Sequence, residues 1–358
     1  MINKITVGIH MTRKKCSIDE LTGKESLARS VITDDYNILL SSGTILKQEY
    51  IDKLKELNIT EVYIWEEGTE SVAILKEDLE EIFKSEVKNV LERHTYYHNE
   101  ELIELNRTAD NIITNILEEE EVVNKIFDIR ERSSDVYEHS ISICSLATVL
   151  ALRLELPHKL IHDICVGCLL HDLGLLYVTI DYTNVNVEEL PEIEYAEYRK
   201  HTVYGYSSLQ GENWISNVSK NMILYHHERI DGSGYPLQAT DIPLECRIIQ
   251  VCDAFDEMIC GIGCERVKVY EAVEYLKNFS GIKFDAKIVD AFLEFTAVYP
   301  AGTYVRTNEG EIGIVLRQNK QFPGRPIINI VKDKDGKTVS VIKDLLKINN
   351  IYIKEVIG

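Results

Sequence analysis

Nothing in this 358-residue chain reads as a membrane span or a leader. No uninterrupted apolar run looks long enough to cross a bilayer. Met1 to His10 carries no charged stretch followed by an apolar core and a cleavage site. These absences predict a cytoplasmic protein with no membrane partner. The charge balance does not favour clusters of basic residues: 39 Lys and Arg face 59 Asp and Glu, a formal net charge of −20. Duplex nucleic acid is bound through such clusters, so it is argued against as a partner. A small nucleotide is not, because a bound metal ion supplies local positive charge whatever the global balance. The eight cysteines are scattered among apolar helical residues, and no second pair accompanies Cys165 and Cys168 as in a zinc ribbon. They read as reduced core thiols. Internal repeats and low-complexity linkers are absent as well.

A chain of this length predicts two or three domains. Residues 1–72 mix short strand-like runs with one helix. Ser42-Gly43 marks a turn, Lys47 to Leu57 has helical spacing, and Glu61 to Trp65 alternates like a strand. Residues 73–120 read as a helical connector, with Leu75, Leu79, Ile82, Phe83, Val87, Val90 and Leu91 at three- and four-residue steps. Such a stripe packs either on a neighbouring domain or on the same helix of a second copy, as a homodimer. Residues 121–298 are helix-patterned almost throughout, with Pro157 and Gly174 as punctuation and a loop over Asp231 to Pro236. In residues 299–358 short β-type runs take over, at Tyr304-Val305, Ile312 to Leu316, Ile327 to Val331 and Val339 to Ile342. Asn308-Glu309-Gly310 and Asp335-Gly336 supply turns between them. The expected fold class is mainly α: a helical domain flanked by a small N-terminal α/β region and a small C-terminal β-rich module.

Five of the ten histidines, His139, His171, His201, His226 and His227, are interleaved with Asp135, Asp172 and Asp253. A nitrogen-and-oxygen set with adjacent pairs suits two or three divalent ions, iron or manganese, better than one structural zinc, which usually recruits thiolates. Asp135 and His139 are four apart in a helical stretch and so share a face; taken alone, they read as an exposed Asp and a surface His. His171 and Asp172 close the apolar run Ile164 to Leu170, where an ionisable pair is costly unless a cation compensates it. Asp172 could bridge two cations through its two oxygens and is the candidate catalytic carboxylate. His226 and His227 diverge by about 100° on a helix, so both reach one cluster only near a helix end, which Asp231-Gly232 suggests. Asp253 follows the apolar run Ile248 to Cys252 and again wants a cation.

His171-Asp172-Leu173-Gly174, preceded by Cys168-Leu169-Leu170, resembles the His-Asp signature of the HD phosphohydrolase superfamily. The stretch from His226-His227-Glu228 through Asp231-Gly232-Ser233-Gly234-Tyr235-Pro236 resembles the second signature of the HD-GYP family. The resemblance covers residues 121 to 298 and takes in His201 by its order between the two signatures. It also places a His preceded by an acidic residue where Asp135 and His139 stand. It implies an all-helical, metal-dependent phosphohydrolase domain, and the N-terminal region is weakly similar to an accessory domain found ahead of some members. The implied substrate is cyclic di-GMP, opened to the linear dinucleotide and on to GMP, with cyclic GMP-AMP as a second class. Gly234 and Tyr235 would lie beside the guanine or phosphate.

Two positions depart from the family pattern. The His-Asp signature usually continues with Gly and then Lys, and here the Lys position is Leu175. After the last metal Asp, members commonly carry an Arg-Pro-Tyr stretch, where this chain has Met258 to Arg266 with Arg266 as its only cation. A charge-assisted phosphate contact contributes roughly 1.5–3 kcal/mol. Two readings follow: a phosphodiesterase acting on a cyclic dinucleotide, with Arg266 as a remaining phosphate contact, or a metal-bound, non-catalytic nucleotide sensor or signalling scaffold.

Overall fold

A computed structural model describes residues 11–21, 23, 25, 27, 31, 32, 38–40, 44, 46–57, 59–67, 73–97, 101–118, 122–129, 131–319 and 322–357. The chain divides into two compact units, Ala73–Val298 and the two terminal segments up to Val72 and from Tyr299. The predicted turn at Ser42-Gly43 lies outside the described residues.

In the terminal segments, strands β1 (Met11–Ser17) and β4 (Glu61–Glu67) pair antiparallel, as do the short β2 (Val31–Ile32) and β3 (Ile38–Leu40). Helix α1 (Gln48–Glu56) buries Ile51 and Leu54 in a core with Ile18, Leu27, Leu46 and Val62. The C-terminal module is a five-stranded antiparallel sheet in the order β8-β7-β6-β5-β9. Its strands are β5 (Tyr304–Thr307), β6 (Ile312–Arg317), β7 (Ile327–Lys332), β8 (Thr338–Asp344) and β9 (Ile353–Val356). Alternate residues Val305, Val315, Ile328 and Ile330 form its core, as the period-2 pattern requires. Gly310 and Gly336, at φ 85° and 78°, make the two turns that the sequence marks. Strand β9 had no apolar alternation to announce it; it is held by pairing with β5.

The helical unit comprises α2 (Glu77–Tyr97), α3 (Glu104–Leu117), α4 (Val136–Arg153), α5 (His158–Leu170), α6 (Glu192–Tyr198), α7 (His201–Ser208), α8 (Asn217–Tyr225), α9 (Leu244–Cys260), α10 (Val269–Asn278) and α11 (Ala286–Leu293). Helices α4, α5 and α9 are its centre. Asp135 caps α4, accepting from the N–H groups of Tyr137 and Glu138. Every residue from Ser140 to Ala151 is buried. The hydroxyls along α4 stay satisfied by returning to the carbonyl four residues back, as Ser145 and Thr148 do. Helix α9 stops at Gly261, whose φ of 78° suits only glycine well. An edge-to-face pair of Phe255 and Phe292 sets α9 against α11.

Two expectations change here, on the apolar run and on the cysteines, and a third reading, of the α2 stripe, gains a packing partner. The stripe on α2 is covered within its own unit, with Phe83, Val87, Val90 and Leu91 buried and α2 packed on α3 and α4, but Ile82 faces outward. Residues 158–177 are, by length and composition, apolar enough to cross a bilayer; they are α5 and the turn after it, buried as a core helix that delivers His171 and Asp172. Cys144 on α4 and Cys165 on α5 are joined in a disulfide, and the other six cysteines are in no disulfide. Their Cα atoms meet at 5.0 Å because two helices pack there, a proximity invisible in their scattered sequence positions.

Candidate metal centre

The last turn of α5 brings His171 and Asp172 into the middle of the unit, both buried. The two oxygens of Asp172 face different partners. Oδ2 lies 3.6 Å from His139 Nε2 and 3.3 Å from His171 Nε2. Oδ1 lies 3.6 Å from both His201 Nε2 and His226 Nε2. On the first side Asp253 Oδ1, from α9, adds itself at 3.3 Å from His139 Nε2 and 3.5 Å from His171 Nε2. Its Oδ2 turns the other way, 4.0 Å from His227 Nδ1. Thus the structure brings together His139, His171, Asp172, His201, His226, His227 and Asp253.

The histidines are oriented by their outer nitrogens. Nδ1 of His171, His201 and His226 each meets the backbone carbonyl three residues earlier, on Cys168, Tyr198 and Ile223, at 2.7 to 2.8 Å. Nδ1 of His139 meets Asp256 Oδ2 at 2.9 Å. Each outer nitrogen is therefore the protonated one, leaving the Nε2 lone pair to point inward. His201 Nε2 and His226 Nε2 then face each other at 3.1 Å as two acceptors with nothing to share. His139 Nε2, His171 Nε2 and both oxygens of Asp253 are buried without a hydrogen-bond partner. Orphaned buried acceptors of this kind are costly, and a set of lone pairs converging from nitrogen and carboxylate oxygen fits divalent ions.

Protonation follows the same division. Burial would lower His171, but the Asp172 and Asp253 carboxylates reverse this and push it up to about 10. Burial lowers His201 and His227 and brings His226 down to about 3. One side is charge-compensated by protons and the other offers neutral imidazoles, so ions and protons compete for the first side.

Residues not singled out from sequence support these ligands. Asp256, fully buried, receives the Ser142 hydroxyl at 2.5 Å on the oxygen not used by His139. We expect Asp256→Asn to weaken metal affinity roughly 10–100-fold by loosening the His139 tautomer, read by titrating metal-free protein with Mn(II). An unchanged Kd would reduce the pair to packing. Buried Glu228 accepts from the Leu237 and Ala239 N–H groups and ties down the loop after His227. Gly234 is needed for that loop's closure: a Cβ there would lie 2.5 Å from Glu228 Cα and strike backbone of His227 and Arg229. Tyr235 stacks on His227 at 4.6 Å between ring centroids, and the Arg199 guanidinium lies 4.8 Å from the centre of the same Tyr235 ring.

Three positions read from sequence find other roles. Asp135 is not with the cluster. As the extended residue capping α4 it gives Oδ1 to its own helix N–H groups and Oδ2 to Lys84 at 2.9 Å, so sharing a helical spacing with His139 does not aim it inward. Arg266 is exposed, and its guanidinium donates to the Cys260 carbonyl at 3.3 Å. Leu175 does not face open space: it is buried with Val187, Tyr198, Cys260 and Ile262. Leu175→Lys should therefore bury an ammonium in an apolar cluster and destabilise the unit by about 2–5 kcal/mol. Chemical denaturation will show it, and an unchanged midpoint would mean that the new side chain has found another exit.

Residues 121–288 match the family model of the HD domain, and residues 304–358 match that of a KOW domain associated with the HD domain. The chain is 30% identical over 214 residues to the cyclic di-GMP phosphodiesterase PA4108 of Pseudomonas aeruginosa, covering 59% of this chain and 51% of that protein. It is 33% identical over 129 residues to a 3'3'-cGAMP-specific phosphodiesterase of Vibrio cholerae, covering 35% and 24%. This chain therefore spans about half the length of the first relative. Among solved structures, Bd1817, an HDG"Y"P protein from Bdellovibrio bacteriovorus, superposes with a TM-score of 0.52 at 18% identity, covering 78% of this chain and 98% of that one. At that identity the likeness speaks for the fold. The candidate metal-ligand cluster thus lies within the residues that match the HD-domain model, ahead of a segment that matches the model of a KOW domain associated with it.

Proposed function

We propose that this protein is a metal-dependent phosphodiesterase that hydrolyses a cyclic dinucleotide, cyclic di-GMP first, to the linear dinucleotide. The observation that carries the reading is Asp172, whose Oδ2 faces His139 and His171 while its Oδ1 faces His201 and His226. One carboxylate between two imidazole pairs is the arrangement that holds two cations side by side. When bound, iron or manganese ions would lower the pKa of a water and neutralise the phosphate oxygens. The chain's own contribution is to fix the ligands by their outer nitrogens, and to keep the inner lone pairs buried. Tyr235, stacked on His227 with the Arg199 guanidinium over its ring, puts a cation next to the ligand cluster, where it could meet a phosphate. Relatives named for cyclic di-GMP and cGAMP hydrolysis support the substrate class.

A second reading is favoured by a specific pair of observations. With Leu175 in an apolar cluster and Arg266 on a backbone carbonyl, the two cations expected near phosphate are gone, which suits a nucleotide sensor. Turnover separates the readings. Protein purified anaerobically and loaded with iron or manganese should convert cyclic di-GMP to linear product, with cyclic GMP-AMP assayed in parallel. Tight binding of either nucleotide without product would favour the sensor and sink the hydrolase.

A further inference from the structure

A cation that the metal centre does not use stands against two tyrosine rings. Arg199 is the C-cap of α6, one residue after the buried Tyr198. Tyr195, four residues back, shares its helix face, and the centre of its ring lies 5.5 Å from the guanidinium carbon. Tyr235, from the loop after His227, brings its own ring to 4.8 Å from the same carbon. The Arg199 side chain is half-buried and its Nε is buried without a hydrogen-bond partner. Among the described residues no carboxylate or carbonyl pairs with the guanidinium. A charge taken out of water without an anion is costly, and ring faces repay only part of that cost. The planar fork of an arginine suits one partner above others, the oxygens of a phosphate.

Position decides which phosphate. His227 covers one face of Tyr235 at 4.6 Å, which leaves the guanidinium the other face, a ring's thickness further out than the ligand atoms. A phosphate oxygen held by an ion lies within about 2.0–2.6 Å of it, so a phosphate at the centre does not also reach across the ring. A cyclic dinucleotide carries a second phosphate, set apart from the first by its sugars. We propose that Arg199 binds this second phosphate, the one that does not react, and so selects substrates with two phosphates over those with one. The inference rests on the phosphodiesterase reading above and deepens it by naming the second anchor of the substrate. The other cations near the centre are engaged elsewhere: Arg266 donates to the Cys260 carbonyl, and Arg229 gives Nη1 to the His226 and Glu228 carbonyls.

The test compares Mn(II)-loaded wild type with Arg199→Met, which keeps an unbranched apolar stem between the rings, and Arg199→Lys, which keeps the charge without the fork. The substrates are cyclic di-GMP and bis(p-nitrophenyl) phosphate, which has a single phosphate. A contact to a group that does not react is the same before and in the transition state, so its loss appears in KM rather than kcat. In Arg199→Met the ratio of kcat/KM for cyclic di-GMP to that for bis(p-nitrophenyl) phosphate should fall about 10–100-fold, carried by KM. Arg199→Lys should recover part of the loss. An equal fall on both substrates, with a lower unfolding temperature, would reduce Arg199 to packing between two tyrosines and overturn the proposal. A loss confined to kcat would place it at the reacting phosphate and overturn it too. If wild type binds cyclic di-GMP but turns over neither substrate, the hydrolase reading fails by itself. Calorimetry then decides the present one: a Kd for cyclic di-GMP at least tenfold weaker in Arg199→Met supports it, and an equal Kd overturns it. Wild type that neither binds nor hydrolyses cyclic di-GMP overturns both.

Discussion

Asp172→Ala is expected to remove metal and hydrolysis together. Both proposed ion positions that touch His139, His171, His201 and His226 draw an oxygen from this one side chain, at 3.3 to 3.6 Å from each Nε2. Without it the first position keeps Asp253 as its only charged ligand and the second keeps none, since His201 and His226 are neutral imidazoles lowered by burial. The two ion positions that share Asp172 should both empty. Turnover should drop by roughly four decades or more, because a water without a bound cation keeps its ordinary pKa. Stability gives a second readout. Ligand at a thousand times its Kd stabilises by about 4 kcal/mol per site, so the metal-dependent rise in the wild-type unfolding temperature should vanish. In metal-free protein a smaller, pH-dependent effect is expected. His171, held at about 10 by Asp172 first among the carboxylates, adds stability that is fully present below its ordinary pKa near 6.5 and is lost as pH rises through about 10. Asp172→Ala should flatten that slope. Full metal content in the variant would make Asp172 an ordinary helix-end residue.

The sequence displayed the centre through residues whose burial demands compensation. His171-Asp172 and Asp253 each end or interrupt an apolar run, and the structure gathers them with His139, His201 and the adjacent His226 and His227. What the sequence hid was direction. Asp135 and His139 share a spacing, but a capping residue has extended backbone, φ −103° and ψ 114°, which turns its carboxylate onto its own helix. The same four-residue spacing between Asp253 and Glu257, inside one helix, keeps both on one face and could have flagged Glu257, whose Oε1 lies 3.8 Å from His227 Nε2. Asp256 lay between them in the sequence with no cue that it would meet His139 from the far side of the ring. The helical domain and the β module could be told apart by the change from a 3- and 4-residue period to alternation. Strand β9 and the Cys144–Cys165 bridge depend on partners distant in sequence, and no local pattern records them.

Gly174 shows how far such long-range contacts decide the site. In the sequence it is punctuation after His-Asp; in the structure it is where the turn after α5 meets the start of α7. A Cβ at 174 would lie 2.6 Å from the carbonyl carbon of His201 and 2.8 Å from Gly205 N, and would strike the His201 carbonyl oxygen. These are backbone atoms and cannot rotate away, so Gly174→Ala must push α7 off. His201 moves with it, because its Nδ1 is tied to the Tyr198 carbonyl just before the same helix. The expected cost is about 3 kcal/mol, the upper end of overpacking, or roughly 6–12 °C in unfolding temperature for a unit of this size. Metal content should fall selectively. The ion set that depends on His201 and His226 should be lost, while the set of His139, His171 and Asp253 keeps its geometry. That pattern differs from Asp172→Ala, which empties both. Gly205→Ala is the control: its Cβ would meet Ile223 Cγ2 at 3.1 Å and Gly174 N at 3.2 Å, contacts that a small shift relieves, so its effect should be clearly milder. Wild-type ion content and unfolding temperature in Gly174→Ala would mean that α7 can yield without carrying His201 away from Asp172.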